Sequence, residues 1–287
     1  MLTFTVVKED GKLRRKKFSI PGTLGQCLLT YPEGGDLSEA PFALYHAGGV
    51  IFNGIGALIS VLVFVLSSGP WPRMMSAVFG IISIYQGLVN FIPMAPGGVP
   101  NDGKNLFILK KDPDARRALM NTIIVNGYLS RGKTYGDIPP ERFETADPEG
   151  DIFQQGGAID VGLMLEYRHE FEEAREIFQK LADNSQGLEL YKNIAVGEIM
   201  LCMMLTGASK EEVDGLMTDK VKKYMSATEN YVVQRKCYRY AYELMMDQDK
   251  AAAEKVREEA VKMGGTYPIP GEYKMVIELI DYIKTLG

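Results

Sequence analysis

The chain changes character along its length. Its opening, "LTFTVVKEDGKLRRKKFSI", alternates apolar and polar positions on either side of "EDGK", and Asp-Gly between alternating runs predicts a β-hairpin. A Gly- and Pro-rich loop, "PGTLGQCLLTYPEGGDLSEAP", follows. Then alternation gives way to two continuous apolar stretches, Phe42 to Ser68 and "MMSAVFGIISIYQGLVNFIP", joined by the turn "GPWPR". About 20 helical residues at 1.5 Å rise cross about 30 Å of hydrocarbon, so the pair reads as a transmembrane helical hairpin. Trp71 suits its interface, and Gly48, Gly49, Gly54 and Gly56 suit close helix packing in lipid.

From Asp112 the pattern becomes that of soluble amphipathic helices. "DPDARRALMNTIIVNGYLSRG" has a Pro and acids at its start and a Gly at its end, as a capped helix should. "YRHEFEEAREIFQKLAD" places Phe171, Ala174, Phe178 and Leu181 on one face, and "DKAAAEKVREEAVKMGG" does the same with Ala253, Val256, Ala260 and Met263. Ser209 and Glu212 form a capping box before "VDGLM". Successive antiparallel pairs of this kind predict a tetratricopeptide-like helical domain, although the repeat period is not clean. The expected organisation is a membrane-surface hairpin and loop over residues 1–39, a transmembrane hairpin over 40–105 and a cytosolic helical domain over 106–287.

Charge sharpens the division. Of 287 residues with a formal net charge of −5, none from Ala40 to Pro72 or from Met74 to Asn101 is Asp, Glu, Lys or Arg. Only Arg73 lies between the two uncharged runs, whereas Arg14 to Lys17 precede them and Lys104, Lys110, Lys111, Arg116 and Arg117 follow. That asymmetry predicts cytoplasmic termini on both sides of the hairpin, here expected in a bacterial plasma membrane. The Arg14–Lys17 run fits either a solvated strand face or contact with anionic headgroups. Nothing in the overall charge points to nucleic acid. The three cysteines, Cys27, Cys202 and Cys237, are far apart and form no CxxC pair, so they read as small buried residues rather than a disulfide framework or zinc cage. Tyr224, Tyr231, Tyr238, Tyr240 and Tyr242, interleaved with Arg235, Lys236 and Arg239, fit a packed aromatic face or a peptide-binding groove.

Candidate chemistry concentrates in "NFIPMAPGGVPNDGKN", Asn90 to Asn105. Helix-breaking residues here lead to a lone carboxylate, Asp102, which is costly near a membrane helix unless a partner, water or a metal receives it. An ordinary interfacial turn at Asp102 and Gly103 is the plainer alternative. Asn90, Pro93, Asp102 and Gly103 resemble the Asn-x-x-Pro…Asp-Gly signature of the site-2 protease family of intramembrane zinc metallopeptidases, with a longer gap between Pro93 and Asp102. "GGVIFN", Gly48 to Asn53, resembles the family's Ala-Gly-Pro-x-x-Asn signature, with Val50 in the proline position. The resemblance covers roughly Leu2 to Asn105. It implies a membrane-associated sheet before the helices, Asp102 as a zinc ligand, and Asn53 facing the catalytic water or the substrate carbonyl. Asn90 and Pro93 would shape the broken helix, and Gly48, Gly49 and Gly103 would complete the motifs.

One element of that family is missing. Its zinc is held by HExxH, two histidines one helical turn apart with a Glu as general base. This chain has two histidines in total. His46 has no acidic neighbour in sequence and reads as a polar group near the membrane interface. His169, in "HEFEE", has Glu173 where a second ligand is needed and reads as a surface residue of an amphipathic helix. Catalytic zinc needs three protein ligands and a water, and a lone Asp102 supplies one. The sequence is therefore expected to be a truncated or degenerate member that hydrolyses no peptide unless an HExxH helix is supplied upstream. The opening at a strand favours truncation, and zinc is not expected to bind this chain alone. The rival expectation is a membrane-anchored module whose helical domain binds a protein partner. Its partners would be the lipid bilayer and another protein, or a membrane-protein substrate under the first reading.

Overall fold

A computed structural model describes residues 5–9, 12–16, 37 and 42–287. The chain is mainly helical. Its backbone at β1 (Thr5–Glu9) and β2 (Lys12–Lys16) pairs antiparallel with Val7 opposite Arg14, but nothing supports a membrane-surface sheet in this segment. Cys27 and Lys17 lie outside the described residues. The remainder divides into two compact units, residues 36–117 and a second containing 118–287.

The first unit is built on α1 (Ala43–Leu66) and α2 (Pro70–Phe91). α2 begins earlier than its apolar run, because extended Gly69 delivers Pro70 to the first helical position, where a missing N–H costs nothing. Arg73 Nε donates to the Ser67 carbonyl at 2.7 Å, satisfying an orphan acceptor beyond the end of α1. The two helices pack in an inverted sense: the buried positions of α1 are His46 and Ser60, and those of α2 are Ser76, Gly80 and Ser83. A Cβ built on Gly80 would lie 3.0 Å from that of Ser60, and one on Gly56 would lie 3.3 Å from Ser83 Oγ. One on Gly87 would lie 3.5 Å from Asn53 Cβ. The facing residues recur at alternating steps of three and four, the seam of a left-handed helix pair, and their small size lets the backbones approach. Leu58, Leu62, Phe64, Val65, Ile81 and Ile84 point outward and are exposed, Leu62 by 59%. Both helices are long and apolar enough to cross a membrane, yet only 6% and 17% of their most apolar windows are buried. Helices from a soluble core bury that face.

After α2 the chain passes through a 3₁₀ turn (Pro96–Gly98) into α3 (Asp102–Lys111). α4 (Pro113–Ser130) follows, capped by Asp112, whose Oδ1 accepts from the amides of Asp114 and Ala115.

The second unit continues with α5 (Ile152–Tyr167), α6 (Phe171–Asp183), α7 (Glu189–Leu205) and α8 (Lys210–Asp214). It ends with α9 (Asp219–Thr228), α10 (Gln234–Ala241), α11 (Lys250–Met263) and α12 (Pro270–Leu286). α6 buries Phe171, Ala174, Phe178 and Leu181, the face that its spacing predicts, and α11 buries Ala253, Val256 and Ala260. Phe178 fits against Gly162 of α5 so closely that a methyl there would overlap its ring. The Ser209–Glu212 capping box forms, with Ser209 Oγ accepting from the Glu212 amide at 3.3 Å. Cys202 and Cys237 are buried free thiols. Tyr238 and Tyr240 are buried in the core with Arg235 and Lys236, which favours the packed aromatic face over a groove. His169 is not on α6. It closes the turn after α5 in a left-handed conformation (φ 63°) and stacks on Tyr282 at 3.7 Å.

Candidate functional site in the helical hairpin

The break between α2 and α3 is held by Asn101, a residue outside both motifs. Its Nδ2 donates to the carbonyls of Val89 at 2.6 Å and Ile92 at 2.7 Å, two acceptors that the end of α2 leaves free. Its Oδ1 accepts from the amides of Met94 and Lys104, both at 3.0 Å. The second of these bonds is the N-cap of α3. One side chain thus bonds to backbone groups at both helix ends. An Asn immediately before a helix is an N-cap signal, and that rule would have found it.

Gly103 follows for a steric reason. A Cβ there would stand 3.0 Å from the Asn90 carbonyl oxygen and closer still to that of Phe91. With Gly at this position the first turn of α3 packs on the last turn of α2, and Asp102 is set in the first turn of α3. The pairing Asp-Gly is therefore a carboxylate on a backbone contact that admits no side chain.

Asp102 is not alone. Its Oδ1 lies 3.5 Å from Nδ1 of His46, which is 56 positions earlier in the chain and only 4% exposed. His46 Nε2 is buried and has no hydrogen-bond partner among the described residues. Asp102 Oδ2 lies 3.8 Å, and Asn90 Nδ2 3.9 Å, from the place a Cβ would take on Gly49. The fold thus brings Gly49, from the first motif, against Asn90 and Asp102, from the second. Pro93 is exposed in the loop beyond α2, and a Cβ added to Gly48 would meet nothing within 4 Å. Asn53 is half-buried against Gly87. Seven residues along α1 from His46, it is displaced by about 10 Å of helix rise.

Tested against zinc, these residues fit part of a site. An imidazole and a carboxylate are two of the donors a catalytic zinc needs, and a third protein ligand is required. Among the described residues no group of three or more His, Cys, Asp or Glu side chains converges. The sequence expectation of a solitary carboxylate is corrected to a His–Asp pair, because the antiparallel return of α2 brings α3 back beside the start of α1.

The helical unit holds a second polar centre. Glu166 Oε1 accepts from Cys202 Sγ at 3.4 Å, and its Oε2 accepts from Gln234 Nε2 at 3.0 Å. Gln234 also donates to Glu198 at 3.1 Å, and Glu198 is paired with Arg235 at 2.6 Å. Burial, aided by the Glu198 charge, pushes the Glu166 carboxyl well above its usual range. Burial likewise raises Glu272 to about 7, against the lowering effect of a hydrogen bond from Tyr267. Glu166, Glu272, Tyr135, Tyr167 and Gln234 line a cavity of about 30 Å³. That volume takes a water-sized group, not an organic substrate.

Fold and site together define a mainly helical chain with a helical hairpin, long and apolar enough to cross a membrane, that carries a His–Asp pair where the chain breaks out of it. Comparison with protein-family models, curated proteins and solved structures finds no match to this chain.

Proposed function

We propose that the chain is a membrane-embedded, degenerate relative of the site-2 proteases, anchored by α1 and α2 and carrying a cytosolic helical domain. The observation that carries this reading is the inverted hairpin. Serine and glycine form its seam while leucine, isoleucine, valine and phenylalanine face outward. In water that arrangement exposes the apolar surface that folding normally hides, whereas in lipid it is the favourable one. The meeting of Gly49 with Asn90 and Asp102 supports the family resemblance, because two short motifs read separately in sequence share one corner of the fold.

In this reading zinc, when bound, would polarise a scissile carbonyl and activate water. Asp102 would be one of its ligands, Asn90 and Asn101 would shape the broken helix, and peptide hydrolysis would need an HExxH helix that this sequence does not contain. Consecutive helices with connections of three residues (168–170) and five residues (184–188) support the finer proposal of tetratricopeptide-like pairing in the helical domain. A second reading, an anchored protein-interaction module without catalysis, is favoured by the histidine count, since His169 lies outside the hairpin unit.

Alkaline extraction of membranes from cells making the full chain tests the anchor. The chain is expected in the pellet and soluble only with detergent; recovery as a detergent-free monomer would sink the reading. Proteolysis assays on a membrane substrate then separate the two readings. Activity that appears only when an HExxH-bearing segment is co-expressed supports the enzyme relative, and none in either case supports the module.

A further inference from the structure

α3 carries Lys104, Lys110 and Lys111, and none of the three forms an ion pair among the described residues. The acids nearest in sequence are engaged elsewhere: Asp102 faces His46, Asp112 caps α4 and Asp114 pairs with Arg117. Two of the lysines converge on one ring. Lys111 Nζ lies 4.0 Å and Lys104 Nζ 5.9 Å from the ring centroid of Phe107, which is 48% exposed. Positions 104, 107 and 111 recur at steps of three and four, so they share one stripe of the helix. Leu109, on the opposite side of α3, is buried. Lys110 and Lys111 are exposed at the end of the helix.

Contacts to α1 set the depth of this stripe. Asp102 opens α3 beside His46, in the first turn of α1. Arg116, in the first turn of α4, holds its guanidinium 5.4 Å from the ring of Phe42, the N-cap of α1. The chain on both sides of α3 is thus tied to the start of α1, and α3 stays at that end of the hairpin. When α1 crosses hydrocarbon, its first turn lies at the boundary with water, and α3 lies there with it. Two ammonium groups drawn to one ring repel each other, and an anion between them offsets that cost. Phosphate oxygens of lipid headgroups occupy this depth.

We propose that the Lys104–Phe107–Lys111 stripe, with Lys110, is a docking face for anionic phospholipids. The Phe107 ring enters the boundary between headgroups and acyl chains, as apolar side chains of interfacial helices do, while the lysines extend to the phosphates. The inference rests on the membrane reading above and adds the class of lipid that surrounds this end of the hairpin. One lysine near an anionic surface corresponds to about a fivefold preference. A face with three should therefore favour an anionic over a zwitterionic neighbour by at least about fivefold, and by less as salt screens it.

Fluorescence quenching by brominated lipids tests it, with the full chain in vesicles of mixed phosphatidylcholine and phosphatidylglycerol. A chain bearing Trp71→Phe and Phe107→Trp reports on α3. The native chain, whose single tryptophan is Trp71 in the turn between α1 and α2, is the reference. With phosphatidylglycerol brominated, the α3 tryptophan should show that lipid enriched about fivefold or more over its bulk share, and high salt should reduce the enrichment. Lys104→Gln, Lys110→Gln and Lys111→Gln together should abolish the enrichment with unchanged helix content, and in the native background should leave Trp71 quenching as it was. Equal quenching by the two lipids, or an enrichment that survives the triple substitution, would overturn the proposal and leave the membrane reading standing. So would an α3 tryptophan that neither lipid quenches while Trp71 is quenched, since α3 would then face water, another protein or a second copy. No quenching at either tryptophan would sink the membrane reading and this inference together.

Discussion

Gly103 packs its α-carbon against the carbonyl of Phe91, and no side chain fits between them. The contact fixes where α3 starts relative to the end of α2 and so fixes the place of Asp102. Gly103→Ala forces a methyl against the Phe91 backbone and should cost about 1–3 kcal/mol, the usual range for overpacking. Gly48→Ala is the matched control: nothing lies within 4 Å of the added methyl, and helix propensity favours Ala by up to about 1 kcal/mol. Unfolding of the chain in mixed micelles by SDS titration, followed by circular dichroism, should move the two midpoints in opposite directions.

Asn101 offers a sharper test, because its two ends do different work. Asn101→Asp keeps the oxygen that caps α3 and removes the donors to Val89 and Ile92. Asn101→Ala removes both and should cost the cap, about 1 kcal/mol, in addition to the cost of leaving the α2 carbonyls unpaired. Hydrogen exchange at the Lys104 amide is the discriminating measurement. Protection should survive in the Asp variant and disappear in the Ala variant.

The helix seam predicts an asymmetry opposite to that of a soluble protein. Gly80→Leu should push α2 off Ser60 and weaken the hairpin, whereas Leu62→Ala, on the exposed face, should leave helix pairing unchanged. Disulfide trapping between Cys substitutions at Ser60 and Gly80, in otherwise cysteine-free chains, reads the pairing directly. Efficient trapping is expected in the Leu62→Ala background; equal trapping in a Leu-wedged seam, made by Gly56→Leu, would refute the register.

In the helical domain the Glu198–Arg235 pair is wholly buried. Glu198→Ala would leave a buried guanidinium without its carboxylate, a change that typically costs about 3–5 kcal/mol. Glu229, which pairs with Lys236 and Arg239 nearer the surface, should lose less when truncated, because Glu259 remains as a second partner for both cations. Urea unfolding of the full chain in micelles should rank the two variants in that order.

Acid and base act on this domain with a defined sign. Burial raises Asp160 from its usual 3.8, and Glu272 from 4.5, to about 7 in the folded chain. Each holds its proton more tightly folded than unfolded. Their contribution is therefore fully present below the unfolded values and is lost as pH rises towards about 7, by up to about 1.4 kcal/mol per pH unit for each group. Urea midpoints should fall across that window and level off above it. Glu272→Gln, uncharged at every pH, should flatten the slope; an unchanged slope would refute the assignment to this carboxyl.

Much of this was written in one-dimensional pattern. The uncharged apolar runs determined two helices of membrane-spanning length, and the three-and-four spacing of Phe171, Ala174, Phe178 and Leu181 determined the buried face of α6. The Ser209 capping box could be read directly because its hydrogen bonds join residues three apart. Such features depend on local geometry, which a short stretch of sequence contains. The position of His169 in a left-handed turn could not be read this way, because the amphipathic pattern of α6 runs smoothly into it.

Only tertiary structure decided that His46 meets Asp102 and that Gly49 faces Asn90. These pairs are separated by tens of residues, and each depends on the register in which α1 and α2 pack. Sequence marked Gly48, Gly49, Gly54 and Gly56 for close packing but did not say that, of these four, Gly49 and Gly56 meet a neighbour and Gly48 and Gly54 meet none, since that follows from the seam the two helices choose together. The N-cap rule marks Asn101 for the start of α3 but not its bonds to the α2 carbonyls, which become free only when α2 ends at Phe91. Periodicity fixes what one helix presents; contact between helices fixes what the presented groups do.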